Sequence, residues 1–393
     1  MRRNIHFLLN SGDNASRVLK ETKTLSDDAH FDQVLIIAID QKKSFNNTTI
    51  EIDNKRKMIR LGLVKNLSQN QYLKDLSKLL SLVQMLFKQI NICRIYKPAC
   101  INAHSVGLLP FCSIYKILFN CKLIYDAHEL ETEVDGLTTF KKRYLKWVER
   151  LFIRYVDKVV VVGNKIAEWY RHEYNIDNVY VVRNVPYFNA GDYKKNNRLR
   201  KEFLIPEGRL LFIYNGFLTI GRGIELILEA FSNSEIESHV IFMGYGPKLA
   251  LIHEYGKRHA NIHYKSAVAP EEVIEFTSGA DVGLAIIENT SLSYYYSLSN
   301  KLFEYIQAEI PVVVSNFPEM SSIVDAYNCG WKISPDTKSL IECIKQITPS
   351  AIEEKSSRLT QAQCELCWEK ESLLYQEAFK HLKSNNFKNL CAV

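Results

Sequence analysis

The sequence predicts an α/β protein of two doubly wound, parallel-sheet domains facing each other across a cleft. Three observations predict it. Short apolar runs alternate with amphipathic segments nearly from end to end, the alternation stops at a polar passage (188–209) and restarts after it, and 393 residues exceed one ordinary core. Near-continuous apolar strands separated by helices indicate parallel sheets covered on both faces. Hydrophobic residues make up 47% and charged residues 24%, a globular balance that excludes wholesale disorder.

In the first half the strand signals are "NIHFLL", "QVLIIAI", "INAHS", "KLIYDAH", "KVVVVG" and "VYVVRNV". Amphipathic segments such as "SRVLKETKTLSDD", "LKDLSKLLSLVQMLF" and "FKKRYLKWVERLFIRYV" lie between them. "TTIEIDNKRKMIRLG" reads either as a further strand pair or as an irregular excursion. The first domain is expected over 1–188. "FNAGDYKKNNRLRKEFLIPEGR" is the linker candidate.

The second domain is expected over 205–363. Its strand runs are "LLFIYNG", "HVIFMGYG", "NIHYKSAV", "DVGLAII", "IPVVVS" and "GWKIS", with helices such as "IELILEAF" and "KLFEYIQA" between them. "KLFEYIQA" should turn Leu302, Phe303 and Ile306 into a core. A last helix over 364–385 has no strand after it and is expected to cross back onto the first domain.

Net charge is +6, with an isoelectric point near 8.6. This suits an anionic small molecule or a membrane surface, and no nucleic-acid motif accompanies it. Nine cysteines, an odd number without a secretory signal, point to reduced thiols and a cytoplasmic protein. Cys364 and Cys367 form a lone CxxC, read as two thiols on one helical face. The most apolar helical window, "LSKLLSLVQMLFKQI", is broken by Lys78, Gln84 and Lys88 and is too short for a membrane span.

In doubly wound sheets, ligands bind beyond the carboxyl ends of the strands. There the second domain offers "YNGFLTIGRGIELI", with Gly216 and with Arg222 between two glycines, and "FMGYGPK", with Gly244 and Gly246. Exposed amides, a helix start and a guanidinium suit a diphosphate, although a glycine turn is often only a turn. After "DVGLAII" comes a Ser- and Tyr-rich loop containing Glu288 and Tyr296, then Lys301 and Glu304. A carboxylate accepts two hydroxyl hydrogen bonds, as a ribose diol requires, so Glu304 is a nucleotide candidate. The plainer reading is a surface pair with Lys301 at i,i+3.

"GRGIELILEAF", "FMGYGP", "GADVGLAI" and "NKLFEYIQAEIPVVVSNFPEM" resemble the carboxyl-terminal domain of family 4 nucleotide-sugar-dependent glycosyltransferases, which have the GT-B fold of two Rossmann-like domains. "SRVLKETKTLS", "YDAHELETE" and "VVRNVPYF" are similar to its amino-terminal domain. The resemblance implies that Arg222 grips the diphosphate, that Glu304 binds the ribose, and that His128 lies near donor sugar and acceptor. Gly12, Arg17 and Glu129 fall on the acceptor side. Three departures stand out. Tyr296 occupies the place of the first Glu of the E-x7-E pattern, Phe217 that of an Arg, and Glu309 that of a small residue. Glu288 is the next candidate in the same loop for holding the sugar.

The implied reaction transfers a sugar from a UDP- or GDP-linked donor, without a cofactor, to a glycan or lipid-linked glycan of a bacterial envelope. No Asp-x-Asp occurs in the chain, which favours cations over a metal at the leaving diphosphate. His128 reads equally as a catalytic group and as a structural His beside Asp126. A GT-B epimerase and a non-catalytic sugar-nucleotide binder are the alternatives. The basic, aromatic segment 139–158 suggests peripheral contact with an anionic membrane at the inner face of the cell, although packing on a sheet is the commoner role for such a helix.

Overall fold

The structure is a computed structural model that describes residues 1–13, 15–28, 30–40, 46–63, 71–188 and 195–380, with only the backbone of 71–75. The chain forms two compact units, Met1–Arg183 with Ser372–Val393, and Asn184–Glu371. The first unit therefore ends at Arg183 rather than 188. The reason is local: the Pro186 carbonyl accepts the Trp368 amide, and the Phe188 amide donates to Glu369, which ties 184–188 to the second unit. Part of the expected linker, 189–194, lies outside the described residues, and its remainder includes a short helix, Arg198–Glu202.

The first unit holds an eight-stranded sheet: β1 (Arg3–Phe7), β2 (Gln33–Ile39), β3 (Thr48–Glu51), β4 (Arg56–Leu61), β5 (Cys100–Ala103), β6 (Lys122–Ala127), β7 (Lys158–Val161) and β8 (Val179–Val181). Its order is β3-β4-β2-β1-β5-β6-β7-β8, parallel except at β3. The ambiguous stretch is thus an antiparallel strand pair. Asp53 sets the turn by accepting the Lys55 and Arg56 amides. Helices α1 (Ser16–Asp27), α2 (Gln71–Tyr96), α3 (Leu109–Phe119) and α4 (Thr139–Phe152) supply the crossovers β1–β2, β4–β5, β5–β6 and β6–β7. Among the described residues no helix is long and apolar enough to cross a membrane.

The second unit is built on β9 (Leu211–Phe217), β10 (His239–Tyr245), β11 (Ile262–Ser266), β12 (Val282–Ala285), β13 (Val312–Ser315) and β14 (Gly330–Ile333), in the all-parallel order β11-β10-β9-β12-β13-β14. Leu302, Phe303 and Ile306 are fully buried, as the helix periodicity requires. The last helix begins at Trp368, not at 364, and 381–385 lie outside the described residues. Cys364 and Cys367 therefore do not share a helical face. Leu359–Glu365 closes at a non-helical Leu366, where the buried Trp368 starts a new helix. All described cysteines are free thiols.

Candidate active site

Strand order in the second unit reverses between β9 and β12, the crevice where such sheets take ligands. Three elements converge there: the end of β9, the loop following it, and helix Asn300–Gln307. Tyr305 fixes the helix beneath the strands. Its buried hydroxyl accepts the Asn215 amide at 3.2 Å and lies 3.1 Å from the Leu284 carbonyl. Gly283 makes room for that ring, since a Cβ would stand 2.3 Å from it. One residue away from this anchor, Glu304 accepts the Asn215 side-chain amide at 2.8 Å. The carboxylate is thus aimed by β9, and the surface-pair reading with Lys301 fails.

Two cations sit beside it. The Arg222 guanidinium lies over the Tyr294 ring at 4.7 Å, and the Lys301 ammonium over Tyr214 at 4.5 Å. Burial first, then the Arg222 charge, lowers the Lys301 pKa to about 7, with Glu304 opposing. Neither cation forms an ion pair with a carboxylate among the described residues. Like charges held together in a low-dielectric crevice are costly, and a polyanion relieves that cost. Gly216 faces Lys301, where a Cβ would stand in ordinary contact at 3.5 Å from Cε, and it is the backbone φ of +110° that calls for glycine.

The other glycines are explained by packing. A Cβ on Gly244 would stand 1.9 Å from the Gly216 carbonyl oxygen, and one on Gly246 2.3 Å from that of Leu218. Their identity is a condition of pairing β9 with β10, which removes the argument that phosphate required them. Glu288 is corrected similarly. Its carboxylate accepts the Gly223 amide at 3.1 Å, and its own amide donates to Gly221. It therefore closes the loop carrying Arg222 and occupies the amide expected to face phosphate. Tyr296 is half-buried against Tyr295, and its hydroxyl has no hydrogen-bond partner among the described residues. Phe217, where the family has an Arg, meets Tyr245 edge-on at 5.4 Å and is half exposed. Arg222 and Lys301 are left as the cations.

In the first unit the order reverses between β1 and β5, and a buried polar cluster lies under that point. His6 Nδ1 is 2.7 Å from His104 Nε2, and His104 Nδ1 is 3.0 Å from His128 Nε2. Asp126 Oδ2 lies 3.4 Å from His104 Nδ1 and 3.6 Å from His128 Nε2. Burial holds His6 down to about 3 and His104 well below its usual range, so both are neutral. Burial opposes the charge on Asp126, but Arg17, then His128, outweighs it and holds the carboxyl well below the carboxylate range. His128 is thus half-buried at the outer end of the chain of rings, with no partner for Nδ1 among the described residues.

Arg17 is not an acceptor-side group. It is buried, bonded to Asp126 and to the Val182 carbonyl, and 2.7 Å from Glu21. It neutralises Asp126 inside the core. His104, Asp126 and His128 bring metal-ligating atoms together, yet the Arg17 guanidinium already supplies the cation there. Gly12 adopts a left-handed backbone with its amide bonded to the Asn10 side chain. Glu129 is exposed beside His128. Sequence reasoning missed Asn215, Tyr294, His6 and His104. The Asn of "YNG" at a strand end was the one available signal.

Residues 29–185 match the family described as Glycosyltransferase Family 4, and 195–363 that described as Glycosyl transferases group 1. Among curated proteins nothing matches significantly. Similar solved structures include a sucrose-phosphate synthase from Thermosynechococcus elongatus, 16% identical, with a TM-score of 0.79 over 97% of this chain and 99% of that one. HepE of Anabaena, in complex with UDP and glucose, gives 0.70 at 12% identity over 97% and 99%. WaaG, a glycosyltransferase involved in lipopolysaccharide biosynthesis, gives 0.61 at 15% over 96% and 98%. The fold these share with the chain is GT-B.

Proposed function

We propose, for a chain that belongs to the family 4, group 1 glycosyltransferases, that it moves a sugar from a UDP- or GDP-linked donor to a hydroxyl of a glycan or lipid-linked glycan. The observation carrying the reading is the Arg222–Lys301 pair, two cations that form no ion pair with a carboxylate among the described residues, near a Glu304 aimed by Asn215. Breaking the glycosyl–phosphate bond leaves its electron pair on the diphosphate and positive charge on the sugar. Preorganised cations stabilise that change. The acceptor oxygen forms the new bond and passes its proton to the departing diphosphate, which has just taken the electron pair. His128, through Nδ1, orients the sugar or the acceptor, and Glu129 and Gly12 lie on the acceptor side. The reaction is metal-independent and retains anomeric configuration in this reading. The UDP bound to HepE favours a UDP-linked donor, and the involvement of WaaG in lipopolysaccharide biosynthesis favours an envelope glycan as acceptor. The protein works in the cytoplasm.

Thermal shift with UDP, GDP and their sugar conjugates tests the donor, since only a bound nucleotide stabilises the fold by mass action. Product analysis then separates the alternatives. An epimer formed from donor alone indicates an epimerase, and binding without transfer or donor hydrolysis indicates a non-catalytic protein. Activity that chelator abolishes and Mg²⁺ or Mn²⁺ restores would overturn the metal-free mechanism.

A further inference from the structure

The three histidine rings of the first unit form a line that crosses its sheet. His6 lies on β1 opposite Asn102 of β5, and His104 stands two residues further on, on the same face. β5 pairs in turn with β6, Ala103 opposite Tyr125. That register sets His104 beside Asp126, with His128 two residues beyond it. His6 and His104 are buried, whereas the His128 side chain is 37% exposed.

Counting hydrogens leaves this line two states. Each nitrogen–nitrogen contact, at 2.7 and 3.0 Å, holds one hydrogen, because two lone pairs or two N–H groups facing each other repel. A neutral imidazole carries a single N–H. Three neutral rings therefore place their third hydrogen either on His6 Nε2, at the inner end, or on His128 Nδ1, at the outer end. The choice of end fixes all three tautomers.

Two features favour the outer end. His6 Nε2 is buried without a hydrogen-bond partner among the described residues, so an N–H there would give up water and gain no acceptor. Glu21 has a carboxyl oxygen within 4.8 Å of a His6 ring nitrogen. Burial and then Asp126 push that carboxyl well above its usual range, so it is neutral and offers no anion to such an N–H. Asp126 is the second feature. Its Oδ2 lies 3.4 Å from His104 Nδ1 and 3.6 Å from His128 Nε2. With the third hydrogen at the outer end, the nearer nitrogen carries the N–H and the farther one the lone pair.

We infer that His104, with His6 behind it, is a positioning residue that holds neutral His128 with its hydrogen on Nδ1. The consequence for catalysis rests on the proposed transfer reaction. His128 presents a hydrogen-bond donor to a substrate oxygen and keeps no free lone pair for the acceptor's proton, which goes to the departing diphosphate.

The test is long-range ¹H–¹⁵N correlation NMR of the full chain carrying ¹⁵N-histidine, in mildly alkaline buffer. His128→Gln identifies the His128 signals. Neither donor nor acceptor is present, so the tautomer and the transfer reaction can fail independently. The wild type should show a protonated Nδ1 and a bare Nε2 at His128. His104→Leu removes the donor to Nε2 and leaves Asp126 to draw the hydrogen, so the protonated and bare nitrogens of His128 should exchange. His6→Leu only moves the unpartnered inner nitrogen to His104 and should leave the His128 tautomer as it was. Circular dichroism confirms that each variant is folded, and the wild-type spectrum decides even where one is not. Three outcomes overturn the inference: a wild-type His128 protonated on Nε2, an unchanged tautomer in His104→Leu, or a His6→Leu variant that switches as fully as His104→Leu.

Discussion

Asn215 donates its side-chain amide to Glu304 across 2.8 Å, joining the last polar residue of β9 to the helix that follows β12. The contact turns a carboxylate on a short helix into a directed acceptor. Glu304→Ala should abolish stabilisation by the nucleoside diphosphate itself. Asn215→Ala should weaken nucleotide binding by about 1.5–3 kcal/mol, the worth of a hydrogen bond to a charged group. Calorimetric titration of both single variants and the double should show strong non-additivity. Additive losses would mean that Asn215 and Glu304 act separately.

Lys301 makes nucleotide binding pH-dependent. Its pKa is about 7, lowered by burial and by Arg222, with Glu304 partly opposing and the Tyr214 ring beneath it. A bound diphosphate favours the charged form and raises that value, so binding takes up a proton above pH 7. Affinity should be level below pH 7 and fall by up to about tenfold per unit above it. Titration in buffers of different ionisation enthalpy measures the uptake. Lys301→Met should bind more weakly and without this slope.

Arg222→Ala should lower kcat/KM by about 2–4 kcal/mol, because the contact strengthens as the diphosphate departs. Tyr294 holds the guanidinium in place, so Tyr294→Leu should lose part of the same activity while Tyr294→Phe keeps most of it. Equal behaviour of the Leu and Phe variants would remove the stacking argument.

Tyr296→Phe should leave nucleoside diphosphate affinity nearly unchanged and alter donor KM, kcat or sugar preference. Its hydroxyl stands unbonded among the described residues, at the position where relatives place a carboxylate. Binding of UDP beside UDP-sugars separates the two effects. If the nucleotide alone loses affinity, the residue serves the nucleotide rather than the sugar.

The buried Arg17–Asp126 pair predicts a stability effect distinct from catalysis. Asp126→Asn removes one of the two acids around Arg17 and leaves Glu21, 2.7 Å away, whose carboxyl burial still pushes up, as the remaining partner of a buried guanidinium. Removing one partner of such a pair costs about 3–5 kcal/mol, readable in urea denaturation. With Asp126 charged only in its paired, lowered form, that stability is present at neutral pH and lost as the carboxyl protonates in acid.

By itself the sequence determined the two parallel sheets, because strands buried on both faces must read as unbroken apolar runs, as "QVLIIAI" and "IPVVVS" do. It also determined that Arg222, Lys301 and Glu304 fall beyond strand ends, a matter of position along the chain. It left α3 unmarked, since a helix apolar on its inner and outer sides has no polar face to reveal a period. What each polar group touches was decided only in three dimensions. Arg17 and Asp126 are 109 residues apart, and Asn215 and Glu304 are 89 apart. Gly244 faces Gly216 only through strand register, and Glu288 reaches Gly223 only once its loop folds back. Spacing along a chain sets which residues share a strand end or a helical face. The low-dielectric surroundings that tie Arg17 to Asp126, and leave Lys301 without an ion partner among the described residues, exist only after distant segments pack.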